Sequence, residues 1–229
     1  MDIIDYIITI PLFKGLPREN HEGLAKIIVD KIFNRGQIIF SEGDEGNGFY
    51  VLISGRVKIF KLSPDGKQQI LHIFSPGEPF GEVPVFAGER FPAHAEAIEE
   101  SRVFFFPRVA FIDLITKNPS LALNMLAILS RRLYRFTTLI ASLSLKEVPE
   151  RLAAYLLYLC EMGGGTMALT LDISKGQLAS LLGTIPETLS RVLSKMSREG
   201  LIQLDGTRRI LICNREEIEK LAHSERQLL

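Results

Sequence analysis

The hydrophobic positions change period several times along the chain. Residues 1–33 keep helical spacing, with Leu24, Ile27, Ile28 and Ile32 in phase, and Arg35-Gly36 stops the pattern. From 36 to about 107 short β-rich runs alternate with glycines: Gln37-Ile38-Ile39-Phe40, Phe49-Tyr50-Val51-Leu52-Ile53, Val57-Lys58-Ile59-Phe60-Lys61-Leu62 and Gln69-Ile70-Leu71-His72-Ile73-Phe74. Strands this short at such regular turn spacing predict an antiparallel barrel or roll. Pro64-Asp65-Gly66 is a turn with a mechanism, because Pro presets φ and Gly accepts φ > 0.

From 120 to 144 there is no Gly or Pro, and Ala122, Leu126, Leu129, Leu133, Phe136, Ile140 and Leu143 recur at spacings of 4, 3, 4, 3, 4 and 3. That is a narrow a/d seam. It predicts a long helix that pairs with a second copy, packing on its own barrel being the alternative. The segment from Ser144 to Pro149 breaks the seam and reads as a hinge. A second helical block starts at Glu150, with Leu152, Ala153, Leu156, Leu157, Leu159 and Cys160 on its apolar stripe. After the flexible Gly163-Gly164-Gly165 loop, Met167-Ala168-Leu169-Thr170-Leu171 reads as a strand.

Residues 174–196 hold two capping-box patterns, Ser174 with Gln177 and Thr184 with Glu187. Gly183 lies between them as a tight-turn residue, and Pro186 falls in a first helical turn, where its missing N–H costs little. Ala179 is small where two helices must cross; Leu178, Leu182, Ile185, Leu189, Val192, Leu193 and Met196 supply an inner face. The pattern predicts a helix-turn-helix whose second helix enters a DNA major groove. Asp205-Gly206, flanked by alternating apolar residues, predicts a hairpin wing beside it.

The whole chain of 229 residues has 27 basic and 27 acidic residues and no Trp, so bulk charge does not drive polyanion binding. Between 174 and 209, however, six basic residues (Lys175, Arg191, Lys195, Arg198, Arg208, Arg209) face three acidic ones (Glu187, Glu199, Asp205). On the outer side of the second helix, Glu187, Thr188, Ser190, Arg191, Ser194 and Lys195 are the candidate DNA contacts. Arg191 suits guanine O6/N7 and Glu187 suits cytosine N4, Glu187 also serving the cap. Ser174, Thr184, Arg208 and Arg209 are candidate phosphate or flanking contacts. The two distant cysteines, Cys160 and Cys213, exclude a disulfide framework and suit a reducing cytoplasm. The acidic start has no basic n-region, so a secretory signal is not expected. No nucleophile–base set, dinucleotide fingerprint or phosphate loop is present, so the chain does not read as an enzyme.

In the order roll, long helix, hinge and winged helix, the chain resembles the CRP/FNR family of bacterial regulators. The specific parts are Phe80-Gly81-Glu82-Val83-Pro84-Val85-Phe86 and Pro186-Glu187-Thr188-Leu189-Ser190-Arg191. The resemblance implies an α+β chain with three parts. They are a cyclic-nucleotide-binding-like jelly roll, a double-stranded β-helix, over 1–116; a dimerisation helix over 117–145; and a winged helix-turn-helix over 146–229. The spacing Glu187-x-x-Ser190-Arg191 resembles the fumarate–nitrate type of recognition helix. It implies Glu187, Ser190 and Arg191 as base readers on a palindrome of TTGA-like half-sites, with RNA polymerase as a further partner. Leu126, Leu129, Leu133, Phe136, Ile140 and Leu143 become the homodimer interface.

In the family's cyclic-nucleotide binders a Gly-Glu pair holds the ribose, which Gly81 and Glu82 match, and an Arg-Ser pair holds the cyclic phosphate. Phe91-Pro92 stand in the place of that second pair, and Arg90 is one position off. A buried phosphate needs a charged donor, so cyclic AMP is disfavoured. The N-terminal cysteine cluster of the fumarate–nitrate regulators is missing too. What remains is a mostly apolar pocket with Ile70, Phe74, Phe80, Phe86, Phe91, Leu133, Phe136 and Thr137 as candidate liners. Phe91-Pro92-Ala93 and Ser142-Leu143-Ser144-Leu145-Lys146 resemble the nitric-oxide-responsive Dnr/HcpR-type branch, some of whose members bind haem. Among His21, His72, His94 and His223, His72 is the candidate axial ligand. The effector reading stays open between a gas sensed through haem, another small molecule, a cyclic nucleotide, and no effector.

Overall fold

The computed structural model describes residues 3–162, 164–206 and 208–228. The Gly163 and Thr207 positions of the predicted loop and wing lie outside them. The chain divides into two units, residues 1–134 and 135–229.

In the first unit two four-stranded antiparallel sheets face each other. One orders β1 (Val29–Phe33), β8 (Ser101–Pro107), β3 (Gly48–Ser54) and β6 (Pro79–Phe80). The other orders β2 (Ile38–Phe40), β7 (His94–Ala97), β4 (Val57–Leu62) and β5 (Gln68–Phe74). The interleaved order is that of a roll, and its interior is aromatic: Phe40, Tyr50, Phe74, Phe80 and Phe91 pack with Leu52, Val57 and Val103. The strand β3 is buried on both faces. Its Phe49 and Val51 join Phe104 and Phe106 of β8 under a second core. That core is made by α1 (Ile3–Thr9), a 3-10 turn (Pro11–Phe13), α2 (Arg18–Ile27), α4 (Arg108–Lys117) and the start of α5 (Pro119–Leu145). A short α3 (Val83–Phe86) follows β6.

The predicted helix over 1–33 is corrected in two ways. Pro11 and Pro17 split the helical part into pieces, and 29–33 is a strand. Helical phase at Ile28 and Ile32 lost to pairing: β1 runs antiparallel to β8 from Val29↔Phe105 to Phe33↔Ser101. Asp30 takes a forked bond from Arg102, at 3.0 Å to Oδ1 and 2.6 Å to Oδ2, across that pair.

The long helix α5 carries two stripes rather than one. Leu121, Met125, Ile128 and Arg132, spaced 4, 3 and 4, turn toward the roll, with Leu121 and Met125 buried in the second core. The predicted seam lies beside them, with Leu126, Leu133 and Ile140 at 58, 65 and 64 % exposure and Leu129, Phe136 and Leu143 half-buried. Packing on the chain's own barrel therefore holds for one stripe, and the predicted seam is a separate stripe with Leu126, Leu133 and Ile140 exposed.

In the second unit α5 ends at Leu145 and α6 (Val148–Met162) begins three residues later, so the predicted hinge shrinks to 146–147. A three-stranded sheet orders β10 (Ile202–Asp205), β11 (Arg209–Ile212) and β9 (Ala168–Thr170). Helix α8 (Pro186–Arg198) packs on β10, α7 (Lys175–Leu181) on α8, and α9 (Arg215–Ala222), which has no counterpart in the sequence reading, on α6.

Of the two predicted capping boxes, one forms. The Ser174 hydroxyl accepts from Gln177 N at 3.2 Å, and Gln177 Oε1 accepts from Ser174 N at 2.8 Å. Thr184 is not a cap: the N-cap of α8 is Ile185, with no side-chain bond to the helix. The reason is Pro186, which forces the residue before it into extended backbone (Ile185 at φ −104°, ψ 155°) and so starts the helix one residue later than the pattern suggested. Glu187 is thereby released from the capping role as well.

Replacing Ser174 with Ala removes a reciprocal cap and should cost about 1 kcal/mol of stability. Thermal or urea unfolding of the Ser174→Ala chain, followed by a probe in the second unit, checks it; an unchanged midpoint counts against the cap.

Candidate nucleic-acid interface and roll interior

The helix pair α7–α8 is set by a few small residues. Ala179 is fully buried at the crossing, and Gly183 turns the chain at a left-handed φ of 63°. Thr184 N then donates to Ala179 O at 2.9 Å. Leu189, Val192, Leu193 and Met196 bury one side of α8. The opposite side carries Glu187, Arg191, Ser194 and Arg198 at spacings of 4, 3 and 4, with Ser190 alongside, all exposed. The helix therefore offers a carboxylate and a guanidinium one turn apart, each able to approach a base edge.

The other predicted contacts lie at the start of α7, in the turn, on the flank of α8 and at the wing. Ser174 is exposed at the start of α7, its hydroxyl engaged in the cap. Thr184 is half-buried in the turn, and Thr188 is half-buried on the flank of α8. Lys195 is half-buried on that same flank, and its Nζ donates to the Leu228 carbonyl at 3.2 Å. At the wing, Asp205 pairs with Arg209 across the hairpin. Arg208 and Arg209 are both exposed there, Arg209 lying 3.8 Å from Asp205.

The second predicted site is the roll interior. Gly81 has a left-handed φ of 75°, and a Cβ there would stand 3.1 Å from Phe40 and 3.2 Å from Phe91. Phe91 lies face to face on Phe40, centroids 3.8 Å apart and 9° from parallel. Phe80 stacks on Tyr50 at 5.2 Å and meets Phe74 at 5.4 Å. Burial among these rings raises the Tyr50 phenol above its ordinary pKa. The slot expected for a ligand is thus occupied by side chains, Phe91 among them. Arg90 does not compensate. Its guanidinium turns outward to Glu45 at 2.8 Å and to the Gly43 carbonyl at 2.8 Å, while backbone bonds tie Phe91 to Gly43 and Asp44.

Glu82 is almost wholly buried, and Arg132 of α5 reaches it. One guanidinium nitrogen donates to both carboxylate oxygens, at 2.8 and 3.0 Å, and the other to the Pro79 carbonyl at 2.6 Å. The guanidinium also lies 5.0 Å over the Phe74 ring. The sequence pattern does not single out Arg132, which lies off the seam. The signal for it was its phase with Leu121, Met125 and Ile128.

Other predicted liners are scattered. Ile70 is fully buried, Phe86 is exposed on α3, and Leu133, Phe136 and Thr137 lie on α5, where Leu133 and Thr137 are exposed. His72 shares the inward side of its strand with Phe74, packs edge-on against that ring at 4.5 Å, and places Nε2 3.6 Å from Glu78. His94 stacks on Phe60 at 5.1 Å. His21 is buried with Nε2 3.1 Å from the Phe13 carbonyl, and His223 is exposed after α9. Among the described residues no helix is long and apolar enough to cross a membrane.

Comparison with known proteins matches both parts of the chain. Residues 30–118 match the cyclic nucleotide-binding domain, and residues 150–221 match the Crp-like helix-turn-helix domain. The CRP-like cAMP-activated global transcriptional regulator of Mycobacterium tuberculosis is 32 % identical over 215 residues, covering 92 % of this chain and 96 % of that one. The cyclic AMP receptor protein of Thermus thermophilus is 35 % identical, covering 85 % of this chain and 88 % of its own. The nitrogen fixation regulation protein FixK of Azorhizobium caulinodans is 33 % identical, covering 86 % and 81 %. Among solved structures, FixK2 from Bradyrhizobium japonicum superposes with a TM-score of 0.75 at 25 % identity, over 85 % of this chain and 97 % of its own. With a roll, a long helix and a winged helix-turn-helix matched over nearly its whole length, the chain belongs to the CRP/FNR family of transcriptional regulators.

Proposed function

We propose that the chain is a cytoplasmic, homodimeric regulator that reads a palindrome of TTGA-like half-sites and recruits or obstructs RNA polymerase there. The observation that supports the base-reading part is the exposed row on α8, Glu187, Ser190 and Arg191, on the side opposite its buried residues, with Arg208 and Arg209 exposed on the wing as phosphate contacts. The dimer rests on the bare seam of α5. Leucine and isoleucine at three a/d positions more than half exposed are a surface that water disfavours and a second copy covers. Two such readers one helical turn of DNA apart need a separation of about 34 Å.

For the roll we propose an effector other than cyclic AMP. Phe91 and Pro92 supply no charge where the cyclic phosphate is gripped in the family's nucleotide binders, Phe91 is closed on Phe40, and Arg90 points outward. The retained Gly81-Glu82 pair and the names of the Mycobacterium and Thermus relatives favour the rival reading, a cyclic-AMP-activated protein. Haem-based sensing of nitric oxide remains a second rival. As the residues stand they do not fit it: His72 Nε2 is turned toward Glu78, and rings fill the slot.

Arg191→Ala should weaken binding to the cognate palindrome by about 10- to 100-fold, relaxing discrimination at one base pair of each half-site. Fluorescence anisotropy on cognate and single-substituted duplexes measures it; unchanged preference removes Arg191 as a reader. Leu133→Glu with Ile140→Glu should yield monomers in sedimentation velocity and abolish tight palindrome binding, whereas a dimer that survives rules out the seam. Millimolar cyclic AMP should leave the palindrome affinity unchanged, and a haem-reconstituted sample should show no Soret band that co-elutes with the protein. A response to the nucleotide, or a band lost in His72→Ala, would select the corresponding rival.

A further inference from the structure

Lys195 lies in the recognition helix, yet its ammonium is not on the outward row. It shares the flank of α8 with Thr188 and Glu199, seven and four residues away, and donates to the Leu228 carbonyl at 3.2 Å. The segment that supplies this carbonyl is folded back. After α9, Ser224 takes a left-handed φ of 63°, alone among the described non-glycine residues. Ser224 N donates to Leu221 O at 3.2 Å and Glu225 N to Lys220 O at 2.9 Å, which reverses the chain. Arg226 then bridges two elements: one nitrogen donates to Glu199 at 2.7 Å, at the C-cap of α8, and the other to Glu217 of α9. A carboxylate at a helix C-terminus meets the negative end of the helix dipole, so Glu199 needs such a cation. Hydrogen bonds from Lys220, and after it Arg226, hold Glu217 below the ordinary carboxyl pKa.

We propose that residues 224–228 form an intramolecular strap on the flank of the recognition helix, locked by Arg226 between Glu199 and Glu217. The strap withholds the Lys195 ammonium from DNA phosphates and thereby keeps sequence-independent binding low. The inference rests on α8 being the base-reading helix. Its physical basis is that a phosphate contact strengthens binding to every sequence alike and carries no base information. One such contact adds about 0.9 to the slope of log K against log salt. Arg226 is on this reading a positioning residue, acting on DNA affinity through Lys195.

The test is a cycle of full-length variants titrated with a non-cognate duplex from low to high salt. In the otherwise native chain, Lys195→Gln should leave the salt slope unchanged. With the clamp opened by Arg226→Gln, Lys195→Gln should reduce the slope by about one, and the cognate to non-cognate affinity ratio should be lower with the clamp open than in the native chain. Glu199→Gln opens the clamp from the helix side and gives the same cycle if Arg226→Gln does not fold. An equal effect of Lys195→Gln in native and clamp-open chains overturns the strap, whether that effect is zero or one. A native chain that binds no duplex at all overturns the base-reading helix, and the strap with it.

Discussion

A carboxylate taken out of water needs a partner, and Glu82 receives its partner from the long helix. The forked bond from Arg132 is what the roll interior and α5 share most directly, since the same guanidinium closes on Pro79 O and lies over Phe74. Breaking a buried pair by deleting one member strands the other, at a cost of about 3–5 kcal/mol. The apolar contacts of Leu121 and Met125 with the second core fix the same stretch of helix. Arg132 is one residue from Leu133 of the predicted seam, so the side chain that answers the roll and an exposed leucine are held on a single turn.

The winged unit depends on a different economy. Its helix pair owes its closeness to Ala179 and Gly183, and its recognition helix owes its starting point to Pro186. With four buried apolar residues fixing one side of α8, the polar row is presented on a rigid support rather than on a loop. Glu187, Ser190 and Arg191 stand on that rigid support.

Local chemistry was legible in the sequence wherever it decided the outcome. The strands β3 to β5 fell where the alternation and turn residues placed them, the Ser174 box formed, and Leu126, Leu133 and Ile140 of the heptad are exposed. Expectations failed where a partner distant in sequence or a neighbouring proline overrode a local pattern. Helical phase at Ile28 and Ile32 gave way to pairing with β8, and Thr184 lost its cap to the restriction Pro186 imposes. Arg132 was passed over because a charged residue on a polar-looking face gives no hint that a buried Glu82, fifty residues earlier, lies opposite it. The aromatic closure at Phe91 was half visible: the absent arginine could be read, but the stacking on Phe40 needed the fold.

The link between α5 and α6 has a mechanical meaning. Only residues 146 and 147 separate the two helices, and Lys146 is fastened at its tip to the Ala222 carbonyl at 2.7 Å. Two residues reach at most about 7 Å, too little chain to coil or stretch. Such a joint has the build of a crank rather than a leash, with little slack between one rod and the next.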